Sequence, residues 1–309
     1  MKNRQPFRKN YPESVTEMTA LIAAFLSAVF ASASTLLVKC FVRQTDSVVV
    51  TSVQAAVMLV FSAAVCLVSG SFSTVASTGI RSILFMAVSG ISTGMTWLYY
   101  FRALQEGDAD KVMPIEKANI FLTILIAVFF FHEKSHLPFK MAGAAVILFG
   151  LILLLTGSAR ASQGPKCGSC RWLKYALLSS FFAALNTIFS KLALAGMNSN
   201  FGTLLNTAVA LVIAALFLSS GKNAGMLRAA PRREVVIVAI SGISTAFNWL
   251  LYYYAVKNAP MTAVAPLNKL SVPIVILFSR FVLGSGIRKD QGIGLACIVA
   301  GMMMVAAVA

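Results

Sequence analysis

The 309-residue chain is 58% hydrophobic and 12% charged, with a mean hydropathy of +0.82, far from the roughly 25% charge of an ordinary soluble domain. That composition excludes a water-soluble fold. A net charge of +16 would suggest nucleic acid on a soluble protein. Here the basic residues sit mostly in short gaps between apolar runs, where they suit anionic lipid headgroups, and no RNA- or DNA-binding motif accompanies them.

A polar, basic tail at 1–17 comes first. Apolar segments are then predicted near 18–41, 48–69, 82–104, 112–131, 139–157, 173–195, 202–220, 234–256, 262–283 and 289–308, each long enough to approach the roughly 20 residues of a membrane helix. Ala31-Ser32-Ala33 resembles a signal-peptidase site, but the internal repeat described next argues that the first segment is retained. The longest gap, 158–172, is rich in Ser, Gly and Lys/Arg and reads as a linker. No soluble domain is expected to hang from the bundle.

The linker separates two copies of one unit, 18–157 and 173–309. A constant offset of 152 relates Thr35 to Thr187, Lys39 to Lys191, Trp97 to Trp249, Tyr100 to Tyr252, Pro114 to Pro266 and Lys117 to Lys269. Ser89-Gly90-Ile91-Ser92-Thr93 recurs unchanged as Ser241-Gly242-Ile243-Ser244-Thr245. Each copy holds five segments, and an odd number makes the second copy enter the membrane from the opposite side. The expected fold is therefore an all-α polytopic membrane protein of ten transmembrane helices, arranged as two inverted five-helix repeats. Such pseudo-symmetric halves can exchange inward and outward shapes around a site at their interface, the arrangement of many secondary transporters.

The fourth segment is the focus of the chemistry. Glu116 and Lys117 lie inside its first half, where a charge costs roughly 2.5–3.5 kcal/mol on insertion scales and usually faces a cavity or a partner. The other acidic residues fall at segment ends or in gaps, so Glu116 is the sole carboxylate candidate for coupling transport to protons; the alternative is an ion pair with a lysine of the other copy. Lys117 and Lys269 each follow a proline and suit a cavity, whereas Lys39 and Lys191, near helix ends, also fit snorkelling to headgroups. Trp97, Tyr100, Trp249 and Tyr252 either line the pathway or form an interfacial belt. Asn119, Asn186, Asn248 and Asn268 offer hydrogen bonds to cargo or between helices. Gly90 and Gly94, matched by Gly242 and Ala246, read as close helix packing and as a surface on which the halves could rock.

Cys40, Cys66 and Cys297 read as small hydrophobes. Cys167 and Cys170 supply only two ligands with no histidine near in sequence, so a disulfide or loop thiols fit better than a metal site. No cofactor is expected, and no Walker A motif is present to support ATP drive. His132 and His136 are the only histidines and no nucleophile-base pair accompanies them, which argues against an enzyme.

From about Thr19 to Val305 the chain resembles the drug/metabolite transporter superfamily, specifically its EamA-type family. The resemblance rests on Trp97 to Leu104, Val112 to Lys117 and Glu133, and in the second copy on Trp249 to Val256, Val264, Pro266, Leu267, Asn268 and Lys269. The second copy departs from the pattern where Asn268 replaces an acidic residue and Ser285 a glutamate. The resemblance implies ten helices, cytoplasmic termini, a cavity lined by helices one, three, four, six, eight and nine, and movement of small metabolites such as amino acids. Charge counting leans the other way on orientation: Lys2, Arg4, Arg8 and Lys9 precede segment one, but Arg160, Lys166, Arg171, Lys174, Lys222, Arg228, Arg232 and Arg233 would then lie outside. The family orientation is adopted here. The expected function is secondary transport of a small polar or amphipathic metabolite by alternating access, with the bilayer as environment and protons as candidate coupling ion; a passive channel is the alternative.

Overall fold

The structure is a computed structural model that describes residues 13–42, 45–75, 77–106, 112, 115, 119, 123, 137–161, 171–219, 225–271, 274, 275, 278 and 289–306. Every long element among them is an α-helix: α1 (Glu13–Phe41), α2 (Ser47–Val68), α3 (Ile80–Glu106), α4 (Leu137–Ala161), α5 (Arg171–Leu194), α6 (Ser199–Ser219), α7 (Arg232–Asn258), α8 (Met261–Lys269) and α9 (Lys289–Ala306). A 3-10 turn at Ser71–Thr74 and one helical turn at Met226–Ala229 complete them.

Six helices, α1, α2, α3, α5, α6 and α7, are long and apolar enough to cross a membrane. They coincide with predicted segments one to three and six to eight. Shorter apolar stretches, Met141–Gly150 and Gly292–Gly301, occupy α4 and α9. Of segment four only Val112, Ile115, Asn119 and Thr123 are described, all helical and buried; of segment nine, α8 and a few later helical residues. The expected ten spans are therefore matched at six. The apolar exterior of these helices, with Val68, Val60, Leu67 and Ile80 more than two-thirds exposed, is what a hydrocarbon solvent requires, since chain-internal hydrogen bonding satisfies the backbone and no polar shell is needed.

The helices pair across the two copies. α1 packs along α7 and α3 along α5; α2 meets α6, and α4 meets α9. Exchanging the copies turns α1 with α7 into α5 with α3 and leaves the other two pairs unchanged. The packing thus has the same twofold pattern as the sequence. Both long pairs run antiparallel: Thr19 meets Tyr254 and Ser34 meets Thr245 along α1 and α7, while Phe85 stacks on Phe189 and Tyr99 on Tyr175 along α3 and α5.

Glycines permit the closest approaches. A Cβ on Gly90 would lie 2.7 Å from Val209 Cβ, and one on Gly94 2.6 Å from Ile213 Cβ, so α3 and α6 touch backbone to side chain. Gly242 meets Val57 and Gln54 of α2 in the corresponding place. Between α4 and α9, Gly150 faces the Gly294 carbonyl and Gly301 the Gly143 carbonyl. Here the matching offset is 151, one residue shorter than elsewhere. Where α2 ends, Gly70 adopts φ 62°, a left-handed conformation that other residues reach only with strain.

Candidate functional site

Two clusters of neutral polar side chains bind the copies together. In the first, Ser89 Oγ of α3 donates to Asn186 Oδ1 of α5 at 2.6 Å, Asn206 Nδ2 of α6 donates to Ser89 Oγ at 2.9 Å, and Thr93 Oγ1 donates to Asn206 Oδ1 at 3.3 Å. In the second, Gln54 Nε2 of α2 donates to Ser241 Oγ of α7 at 2.7 Å and Ser34 Oγ of α1 lies 2.8 Å from Thr245 Oγ1. The four positions of one cluster map on the other at the offset of 152: Ser89 on Ser241, Thr93 on Thr245, Asn186 on Ser34 and Asn206 on Gln54. All the atoms are buried or half-buried in apolar helices, where an unpaired polar group is costly. Each cluster therefore fixes the register of one copy's third helix against the other copy's first and second.

About two turns along α1 and α7, Asn268 of α8 donates from Nδ2 to Ser27 Oγ of α1 at 2.8 Å and to Asn248 Oδ1 of α7 at 3.3 Å. Beside it Trp249 stands edge-on to Tyr252 and Tyr253, at centroid distances of 6.0 and 5.3 Å, with α8's Leu267 packed on the same apolar cluster. Tyr253 is fully buried and its hydroxyl has no hydrogen-bond partner among the described residues. In the first copy Tyr100 packs against Ala103, Val112, Ile115 and Ala176, and Trp97 is half-buried.

At one end of α7, Lys191 donates from Nζ to the carbonyls of Val256 and Ala259 at 2.5 and 2.7 Å, and Lys257 donates to the Met197 carbonyl at 2.7 Å. Cations suit the negative end of a helix and the carbonyls it leaves open. Lys191, expected either at headgroups or in the pathway, is thus engaged in holding α5 and α7 together. At the other end of α7, Glu234 Oε2 accepts from the Thr45 N–H at 2.9 Å and the Thr45 hydroxyl at 2.7 Å, tying the α1–α2 connection to the positive helix end.

The structure brings together Asn248 with Asn268 and Trp249 with Tyr252, and it places Asn186 in the first polar cluster. Glu116 and Lys117 lie outside the described residues, as do the side chains of Lys39 and Lys269 and the residues Cys167, Cys170, Glu133, His132 and His136. Cys40, Cys66 and Cys297 are free thiols. No group of three or more metal-ligating side chains occurs among the described residues. Sequence reasoning passed over Ser27, Gln54 and Asn206. Applying the 152 offset to polar residues within segments would have paired Gln54 with Asn206.

A family model described as the EamA-like transporter family matches residues 18–156 and again 171–307. The chain belongs to the EamA-like transporter family. A curated relative from Sinorhizobium sp., "Uncharacterized transporter in cobO 3'region", is 36% identical over 135 residues, covering 44% of this chain and 96% of the relative. That relative is accordingly about one repeat long. A solved structure described as "Crystal structure of protein" superposes with a TM-score of 0.70 over 96% of this chain and 99% of its own, at 16% identity, and so shares the fold. This EamA-like protein is a multi-pass integral membrane protein and a membrane transporter, and the two family matches coincide with the two copies whose helices interlock.

Proposed function

We propose that this EamA-like protein is a secondary transporter that moves a small polar or amphipathic metabolite across the cytoplasmic membrane by alternating access, built from ten helices in two inverted repeats. One observation carries the reading: exchanging the copies maps the helix pairs onto one another and the positions of one polar cluster onto those of the other, and the long pairs are antiparallel, as inversion requires. A molecule made of two equivalent arrangements has two equivalent ways to be asymmetric, which is the physical basis of opening to one side and then the other. Counterflow in liposomes tests it. Saturable uptake accelerated by cargo on the opposite side supports the reading, and non-saturating flux without counterflow favours a passive channel.

Lys117, Lys269, Glu116, Lys39, Trp97 and Tyr100 belong to the proposed pathway together with Asn268, Asn248, Trp249 and Tyr252. Glu116 is the proposed proton carrier, because burial favours the neutral form of a carboxyl and moves its titration toward neutral pH. Glu116→Gln is expected to abolish accumulation against a gradient and to flatten the pH dependence of uptake; a variant that still concentrates cargo with the wild-type pH profile sinks the assignment. Both termini are proposed to be cytoplasmic, which puts Cys167 and Cys170 outside. Labelling by a membrane-impermeant thiol reagent in intact cells is the expected result, after reduction to free the thiols.

A further inference from the structure

The hydrogen bonds around Asn268 leave two atoms over. Ser27 is buried and its Oγ donates its single proton to the Ala24 carbonyl at 2.6 Å. The hydroxyl can therefore only accept from Asn268, so the amide nitrogen, and not the amide oxygen, must face it. The same nitrogen reaches Asn248 Oδ1. This fixes both carboxamides: Asn268 Oδ1 remains as a bare acceptor and Asn248 Nδ2 as a bare donor, neither with a hydrogen-bond partner among the described residues. Both side chains are half-buried. Ser27 is residue 15 of the 29 in α1 and Asn248 residue 17 of the 27 in α7, so the pair lies near the middle of two spanning helices. There lipid offers no hydrogen-bond partner, so the two atoms are left for a group in the pathway.

Resting on the reading of the chain as a small-molecule transporter, we propose that Asn268 and Asn248 form a specificity edge for a neutral carboxamide. An N–H of the cargo donates to Asn268 Oδ1 while the adjacent C=O accepts from Asn248 Nδ2. Neutral dipoles recognise this edge without repaying the desolvation of a full charge, which a carboxylate or an ammonium in the same place would demand. Selection by such a site is steep, because a ligand lacking either group leaves a buried partner unpaired. Trp249 and Leu267, chain neighbours of the two asparagines, are only partly buried against the cluster around Tyr253, so apolar surface adjoins the edge and an apolar remainder of the cargo is part of the proposal.

Benzamide, benzoate and benzylamine share a ring and differ in a neutral, an anionic and a cationic edge. Each is titrated against the purified full-length chain in detergent, with the unfolding midpoint as readout. Benzamide is expected to bind tightest, and Asn268→Ala and Asn248→Ala each to weaken it by about tenfold, the scale of one lost buried hydrogen bond. Asn268→Asp keeps the side-chain size, removes the N–H that Ser27 and Asn248 accept and adds a charge, so it is expected to reverse the order in favour of benzylamine; that gain shows the variant is folded. Benzoate or benzylamine binding as well as benzamide to the wild type overturns the proposal, as does an absence of binding by all three or an unchanged ranking in Asn268→Ala. The same preparation in liposomes separates the two readings. Benzamide selectivity without any counterflow overturns the transport mechanism alone, and counterflow without benzamide selectivity overturns the carboxamide edge alone.

Discussion

Tyr253 shows what a single atom can cost. Its ring fills the apolar centre between Trp249 and Tyr252, yet its hydroxyl is buried without a partner. Ser89 is the polar neighbour it faces, but no described group meets the hydroxyl in hydrogen-bonding geometry. Removing an unsatisfied group relieves about 1–3 kcal/mol, so Tyr253→Phe is expected to raise the midpoint of SDS-driven unfolding. Phe101 already occupies the matching position in the first copy. The opposite sign is expected for Asn206→Leu: Ser89 loses the N–H it accepts from and Thr93 one of its two acceptors, and stability falls by about 1–3 kcal/mol. At this scale the sequence was legible in part. The recurrence of Lys39 as Lys191 singled out the position for headgroups or the pathway, but Lys191 donates to main-chain carbonyls, which carry no side-chain signature. The same limit hid Ser27, one of many serines until Asn268 is placed beside it.

At the level of helices, spacing announced small residues at Gly90 and Gly94 but not what they would touch. That depends on α6, more than a hundred residues later. With Ile213 Cβ 2.6 Å from the site of an added Cβ on Gly94, and nothing within 4 Å of one on Gly225, two substitutions should separate cleanly. Gly94→Val forces α3 and α6 apart and is expected to lose folded protein in detergent chromatography; Gly225→Ala is expected to leave yield and unfolding midpoint unchanged. The six long spans could be read directly because unbroken apolar length is a one-dimensional signal. The one-residue change of offset between α4 and α9 could not, because a constant 152 hides a register shift that appears only when Gly143 faces Gly301 and Gly150 faces Gly294.

For the whole molecule, the repeat was legible and the partnership was not. A constant offset establishes duplication, but two copies could each have packed on themselves. Instead α1 lies on α7 and α5 on α3, so among the described residues each copy's first helix is covered chiefly by the other copy's third. Residues 1–162 and 163–309, expressed as separate chains, are therefore expected to be degraded alone and to restore stable, co-purifying protein when expressed together; stable folding of the first half by itself would contradict the interlocked packing. This interlocking also imposes a wait during synthesis. The last residue of α1, Phe41, precedes the first of α7, Arg232, by 191 positions, and at roughly 5–20 residues per second α1 stands in the lipid for about 10–40 s before its partner is made. Ser27 and Ser32 can hold their protons on carbonyls of α1 itself during that interval, but the face they share with Ser34 waits for Asn268, Ser271 and Thr245, so each newborn chain carries a polar stripe whose partners in the second copy do not yet exist.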